Sequence, residues 1–74
     1  MRIDFGIRDT PRGCVAWKKT AKHEREKRFR NGYASARSSA KKWIHEQVEA
    51  IREVVLIDGL AKPEIYVDGE QVEL

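Results

Sequence analysis

Residues 18–42 hold the chemistry this chain could do. Lys18, Lys19, Lys22, Arg25, Lys27, Arg28, Arg30, Arg37, Lys41 and Lys42 stand there against only Glu24 and Glu26. Ser35, Ser38 and Ser39 lie among the last of these cations. Positive charge, hydroxyls and the free N–H groups of a helix start are the donors that hold phosphate oxygens. The expected site is therefore Lys18, Lys19, Arg25, Lys27, Arg28, Arg30, Ser35, Arg37, Ser38, Ser39, Lys41 and Lys42, and its expected ligand is a phosphate-bearing polymer. Two plainer readings stay open. One is a solvated charged face on which Ser35 is only a helix cap; the other is a contact for acidic patches on a partner protein.

The remaining chain argues against other chemistries. Residues 43–74 carry Arg52 and Lys62 against eight acids, so a net charge of +3 conceals two segments of opposite sign. Such a separation makes a directed field rather than a mixed surface. Asp4, Asp9 and Asp58 are scattered, no Gly-rich phosphate loop is present, and an enzyme is not expected. Ser38 and His45 would stand about 10 Å apart along a helix by rise alone, too far for nucleophile and base. Cys14, His23 and His45 show no C-x-x-C or H-x-x-x-H spacing, so neither a metal nor a cofactor is implied. A lone cysteine leaves no internal disulfide and points to a reducing compartment. No apolar run could span a bilayer, and "MRIDFGIRD" lacks a signal-peptide pattern. A cytoplasmic location with no membrane partner is expected.

The elements that must position these cations belong to one small domain, residues 1–74, with a thin core. A second copy could thicken that core, although nothing in the sequence requires a homodimer. "RIDFGIR" alternates, with Ile3, Phe5 and Ile7 on one face, and reads as a half-buried strand. "DTPRG" is a turn, and "CVAWKK" a second strand that puts Val15 and Trp17 against Ile3, Phe5 and Ile7. Residues 20–26 read as a mobile basic loop. "KRFRNGYAS" then reads as a third strand, with Phe29 and Tyr33 inward, Arg28 and Arg30 outward, and a bulge or turn at Asn31-Gly32. A short helix is the alternative for residues 20–31, because their propensities favour it.

From Ala36 to Val55, apolar residues fall on one arc of a helical wheel, Trp43 among them, with Gln47 interrupting its middle. Ser35 is the expected N-cap, Asp58-Gly59 the stop, and Asp68-Gly69 the turn of a closing hairpin. The expectation is an α+β fold: a small antiparallel sheet in β-β-β-α-β-β order packed on one long amphipathic helix. The three-strand sheet spans about 2–34, the helix about 36–57 and the C-terminal hairpin about 64–74. This helix is charged in reverse, with Arg37, Lys41 and Lys42 early and Glu46, Glu49, Glu53 and Asp58 late. Each such misplacement costs about 0.3–1 kcal/mol, which suits a start that receives an external anion. Arg37, Lys41, His45 and Arg52 share one flank, expected to extend Arg28 and Arg30 into a continuous patch.

Gly32-Tyr33, Ser35, Ala40 and Trp43, following the basic "KRFR", resemble the arm-type DNA-binding domain of tyrosine recombinases and the related plant AP2 domains. The resemblance covers about residues 13–50 and departs from the family at Ser38, where an acid is common. It implies a sheet face laid in the major groove, with Lys18, Lys19, Arg28 and Arg30 at DNA. The element order is also similar to HicB-type antitoxins and to small phage inhibitors of the anti-CRISPR kind. Two functions follow as expectations. The first is a small non-enzymatic nucleic-acid-binding protein, duplex DNA before RNA. The alternative is a phage or mobile-element inhibitor or adaptor that binds a host nucleoprotein complex.

Overall fold

The computed structural model describes residues 1–30, 33–59 and 61–74, and for Tyr33 the backbone alone. The expected Asn31-Gly32 turn and the packing of Tyr33 lie outside the described residues. Strands β1 (Arg2–Thr10), β2 (Gly13–Lys19) and β3 (Glu24–Phe29) precede helix α1 (Tyr33–Asp58), which β4 (Glu64–Val67) and β5 (Glu70–Val72) follow. The α+β class and the element order are those expected. The sheet runs β3-β2-β1-β4-β5 and is mixed rather than wholly antiparallel, since β4 pairs parallel to β1. The reason is the helix. It carries the chain from the end of β3 back along the sheet, so the next strand starts where β1 starts, and Glu64 N–H donates to the Met1 carbonyl at 2.8 Å.

The core lies between α1 and one face of the sheet. Ile3, Phe5, Cys14, Ala16 and Ile65 meet Ala36, Ala40, Ile44 and Val48, with Ile7, Phe29, Trp43, Ile51, Val67, Val72 and Leu74 around them. The alanines let the helix approach β2 closely, and fully buried Phe5 and Ile65 fill the centre. Burying such a side chain contributes about 1.5–3 kcal/mol.

The register overturns one expected face. Gly6 is paired with Trp17 and Arg8 with Val15, so Val15 and Trp17 lie on the outer face, away from α1. Trp17 fits there because Gly6 is bare: a Cβ on Gly6 would overlap the indole ring. Val15 is buried between its cross-strand partners Arg8 and Arg28.

Three boundaries also move. The expected basic loop at 20–26 is a turn, in which Thr20 N–H donates to the His23 carbonyl at 2.8 Å and the Thr20 hydroxyl accepts from His23 N–H at 3.1 Å. Glu24, Arg25 and Glu26 are already strand, paired with Lys19, Lys18 and Trp17. At its other end β3 stops at Phe29, and Tyr33 and Ala34 are helical, so Ser35 is the third residue of α1 rather than its cap. The expected stops hold. Gly59 N–H donates to the Val55 carbonyl at 3.1 Å, and Asp68 (φ 50°) and Gly69 (φ 84°) make the tight β4–β5 turn.

Candidate nucleic-acid interface

Four arginines are committed to acids. Arg2 pairs with Asp4 at 3.2 Å, Arg8 with Glu26 at 3.2 Å, Arg37 with Asp9 at 3.3 Å, and Arg52 with Glu49 at 3.0 Å. Arg2 also lies 4.1 Å over the Tyr66 ring, and its hydrogen bond to Asp4 raises its pKa above the ordinary arginine value. These pairs neutralise much of the outer sheet face, where Arg2, Asp4, Arg8 and Glu26 all project.

The cations of β2 and β3 are different. Among the described residues, Lys18, Lys19, Arg25, Lys27, Arg28 and Arg30 make no ion pair with an acid. β3 is an edge strand, and every residue from Glu24 to Arg28 is exposed. Pairing of Lys18 with Arg25 and of Ala16 with Lys27 puts Lys18, Arg25 and Lys27 on the helix side of the sheet. The Lys27 ammonium rests 5.7 Å from the centre of the Phe29 ring. Arg28 and Lys19 project from the outer side, and Arg30 follows the last strand residue. Arg25 to Arg30 spans about 17 Å at the rise of a strand.

Lys18 directly opposite Arg25 is a like-charge cross-strand pair, an arrangement that destabilises a sheet. On the outer face the adjacent pair is Lys19 opposite Glu24, of opposite sign. The helix-side edge therefore carries a local electrostatic cost that an anion would remove.

The helix half of the expected site does not join this row. Arg37 is engaged by Asp9 at the end of β1. Lys41 and His45 line a groove with Ile7, Val67 and Val72, on the β4–β5 side of α1. Arg52 reaches the Glu73 carbonyl at 3.3 Å on that same side. The flank expected to extend Arg28 and Arg30 thus faces away from β3, and no continuous patch forms across the helix. Lys42 is exposed on the solvent side of α1. The helix start at Tyr33 also displaces the serines: the free N–H groups belong to the first four residues, so Ser38 and Ser39 come too late to offer theirs. No acid stands in the first turn and no base in the last, as the reversed charge order requires.

Arg12 was not among the expected site residues. Its turn brings it beside Arg28 and Arg30, with Thr10, Pro11, Cys14 and Phe29 completing the walls of a cavity of about 280 Å³. A second cavity, of about 320 Å³, lies at the other end of β3 and is lined by Lys18, Thr20, His23 and Arg25. The signal for Arg12 was the hairpin itself: a turn joining β1 to β2 must lie beside the end of whatever strand pairs with β2.

Among the described residues no three His, Cys, Asp or Glu side chains gather to hold a metal, and no helix is long and apolar enough to cross a membrane. No protein-family model, curated protein or solved structure matches the chain.

Proposed function

We propose that this chain is a small non-enzymatic nucleic-acid-binding protein that grips the phosphate backbone of duplex DNA along the edge of β3. The observation that carries the reading is the contrast between paired and unpaired cations: Arg2, Arg8, Arg37 and Arg52 are matched to acids, whereas the cations along β3 are not. A row of about 17 Å is long enough to meet several phosphates of B-DNA. Lys18, Arg25, Lys27, Arg28 and Arg30 supply five charges over that span, and Lys19 widens it on the outer side. Ser35, Ser38, Ser39, Lys41 and Lys42 are left outside the primary contact.

Backbone binding of this kind releases counterions. With five phosphates neutralised, the log–log slope of affinity against salt is about −4.5, or about 500-fold between 50 and 200 mM. Fluorescence anisotropy with random duplex DNA measures it directly. The triple variant R25E/K27E/R28E keeps a charged edge strand, hence its protection against edge-to-edge aggregation, and loses binding at every sequence tested. Wild-type protein that binds no duplex at 50 mM salt, or a triple variant that binds as wild type, removes β3 from any such role. Parallel titrations with single strands and duplex RNA rank the polymers.

One observation favours a second reading. At the far end of α1, Val54, Leu56 and Ile57 are 45%, 74% and 80% exposed, and Met1, 85% exposed, lines a groove with Val54. Exposed apolar side chains around one helix end suit an apolar partner surface, as in a phage or mobile-element adaptor that docks on a host nucleoprotein complex. A stoichiometric protein partner that survives nuclease, and is lost in L56K/I57K but kept in R25E/K27E/R28E, selects this reading over the first.

A further inference from the structure

The cavity at the upper end of β3 is built differently from the open row beside it. Three guanidinium-bearing residues, Arg12, Arg28 and Arg30, line one hollow of about 280 Å³ together with the hydroxyl-bearing Thr10. No acid lines it. Among the described residues none of the three arginines has an ion-pair partner. The walls are held in place from below. Thr10 pairs with Gly13 to close the β1–β2 turn, and Gly13 abuts the Phe29 carbonyl so tightly that a Cβ there would overlap it. The hairpin turn and the end of β3 are thereby locked side by side, which brings the three arginines to one hollow.

An internal phosphodiester carries a single charge and is matched by one cation of the row. Three arginines lining one hollow suit a group with more charge and more acceptor oxygens. A phosphate monoester has both, at about −1.5 to −2 near neutral pH with three free oxygens, and guanidinium forks bind such oxygens in bidentate fashion. We infer that the Arg12–Arg28–Arg30 cavity is a binding site for a terminal phosphate monoester of a nucleic-acid strand, which fixes the strand end at the top of β3. The inference rests on the backbone reading above and adds a position to it: the row holds the duplex, and the cavity registers where the strand stops.

Arg12 separates the two, because it lines the cavity and lies outside the row. Internally labelled duplexes of about 12 base pairs, bearing 5′-phosphate, 3′-phosphate or only hydroxyl ends, are titrated against wild type and Arg12→Ala. Losing one charge-assisted contact is worth about tenfold in affinity or more. Wild type is expected to prefer one phosphorylated end by about that factor, and the end preferred gives the polarity of the strand. In Arg12→Ala the preference collapses, while binding to the hydroxyl-ended duplex stays within about twofold.

Equal affinity for all three duplexes overturns the cavity site and leaves the row standing. Loss of duplex binding altogether in the wild type overturns the row. For that case a second measurement stands apart from nucleic acid: the Nε–H resonances of Arg12, Arg28 and Arg30 are followed as inorganic phosphate is added. Saturable shifts in these three but not in Arg2, with chloride as the control, support the cavity. Uniform or absent shifts overturn it.

Discussion

Asp68 shows how much one side chain can fix. Its N–H donates to the Phe5 carbonyl at 2.9 Å, and its carboxylate accepts from the Ile7 N–H at 3.2 Å, just where β4 leaves β1. It also holds a φ of 50°, which Asp and Asn tolerate far better than Ala. Asp68→Ala should therefore cost about 1–2 kcal/mol. That lowers the melting temperature by about 4–8 °C per kcal/mol in a domain of this size; Asp68→Asn should recover most of it, and a calorimetric scan of both variants checks the difference. The turn role of Asp68 was legible in the Asp-Gly pair, but its bond to Ile7 was not, because only the parallel β1–β4 register brings the two residues together. Arg28 poses the complementary case at an exposed residue with no ion-pair partner among the described residues. Its replacement by Ala should weaken duplex binding about equally at all sequences and reduce the salt slope by about 1, read from titrations at four salt concentrations.

Among the elements, α1 and the closing hairpin were legible because periodicity and turn chemistry agree there. β3 was legible only in part. Its "EREKRF" has good helix formers and a single apolar residue, so nothing local announces a strand; pairing with the exposed edge of β2 decides it. The outer position of Trp17 was missed for a related reason. Val15 and Trp17 alternate correctly, but alternation does not say which face is inward, and the small Cys14 and Ala16 turn out to be what the helix can approach. The site was readable as a composition and not as a place: a helix flank and a strand edge adjacent in sequence fold onto different sides of α1. The end of α1 is a further consequence of element lengths. A helix of 26 residues is about 39 Å long, against about 30 Å for the nine residues of β1, and its last residues, Leu56, Ile57 and Asp58, are exposed. Leu56→Lys with Ile57→Lys should shift stability by only about 0.5 kcal/mol each, whereas Ile65→Ala should cost about 2–5 kcal/mol. Urea denaturation of the two variants makes the comparison.

Over the whole molecule, the long helix makes an elongated body of 41 × 21 × 19 Å, with a radius of gyration of 13.0 Å. A compact chain of this length would have about 11 Å. With so little interior, a ligand that binds only the folded state should contribute visibly to stability. On the proposed reading, duplex DNA at about 100 times its dissociation constant should add about 2.7 kcal/mol. The melting temperature should therefore rise with DNA at 50 mM salt and fall back at 200 mM, and R25E/K27E/R28E should show neither change. The central place of β1 bears on how the chain comes to be made. β1 precedes β4 in the chain yet is the middle of the sheet, and it stays open on one side until residues 64–67 pair with it. A ribosome that stalls before the hairpin, or a protease that trims it, would leave the longest strand with bare hydrogen-bonding groups. Loss of residues 64–72 would then be felt as aggregation of the whole sheet, not as the absence of one hairpin.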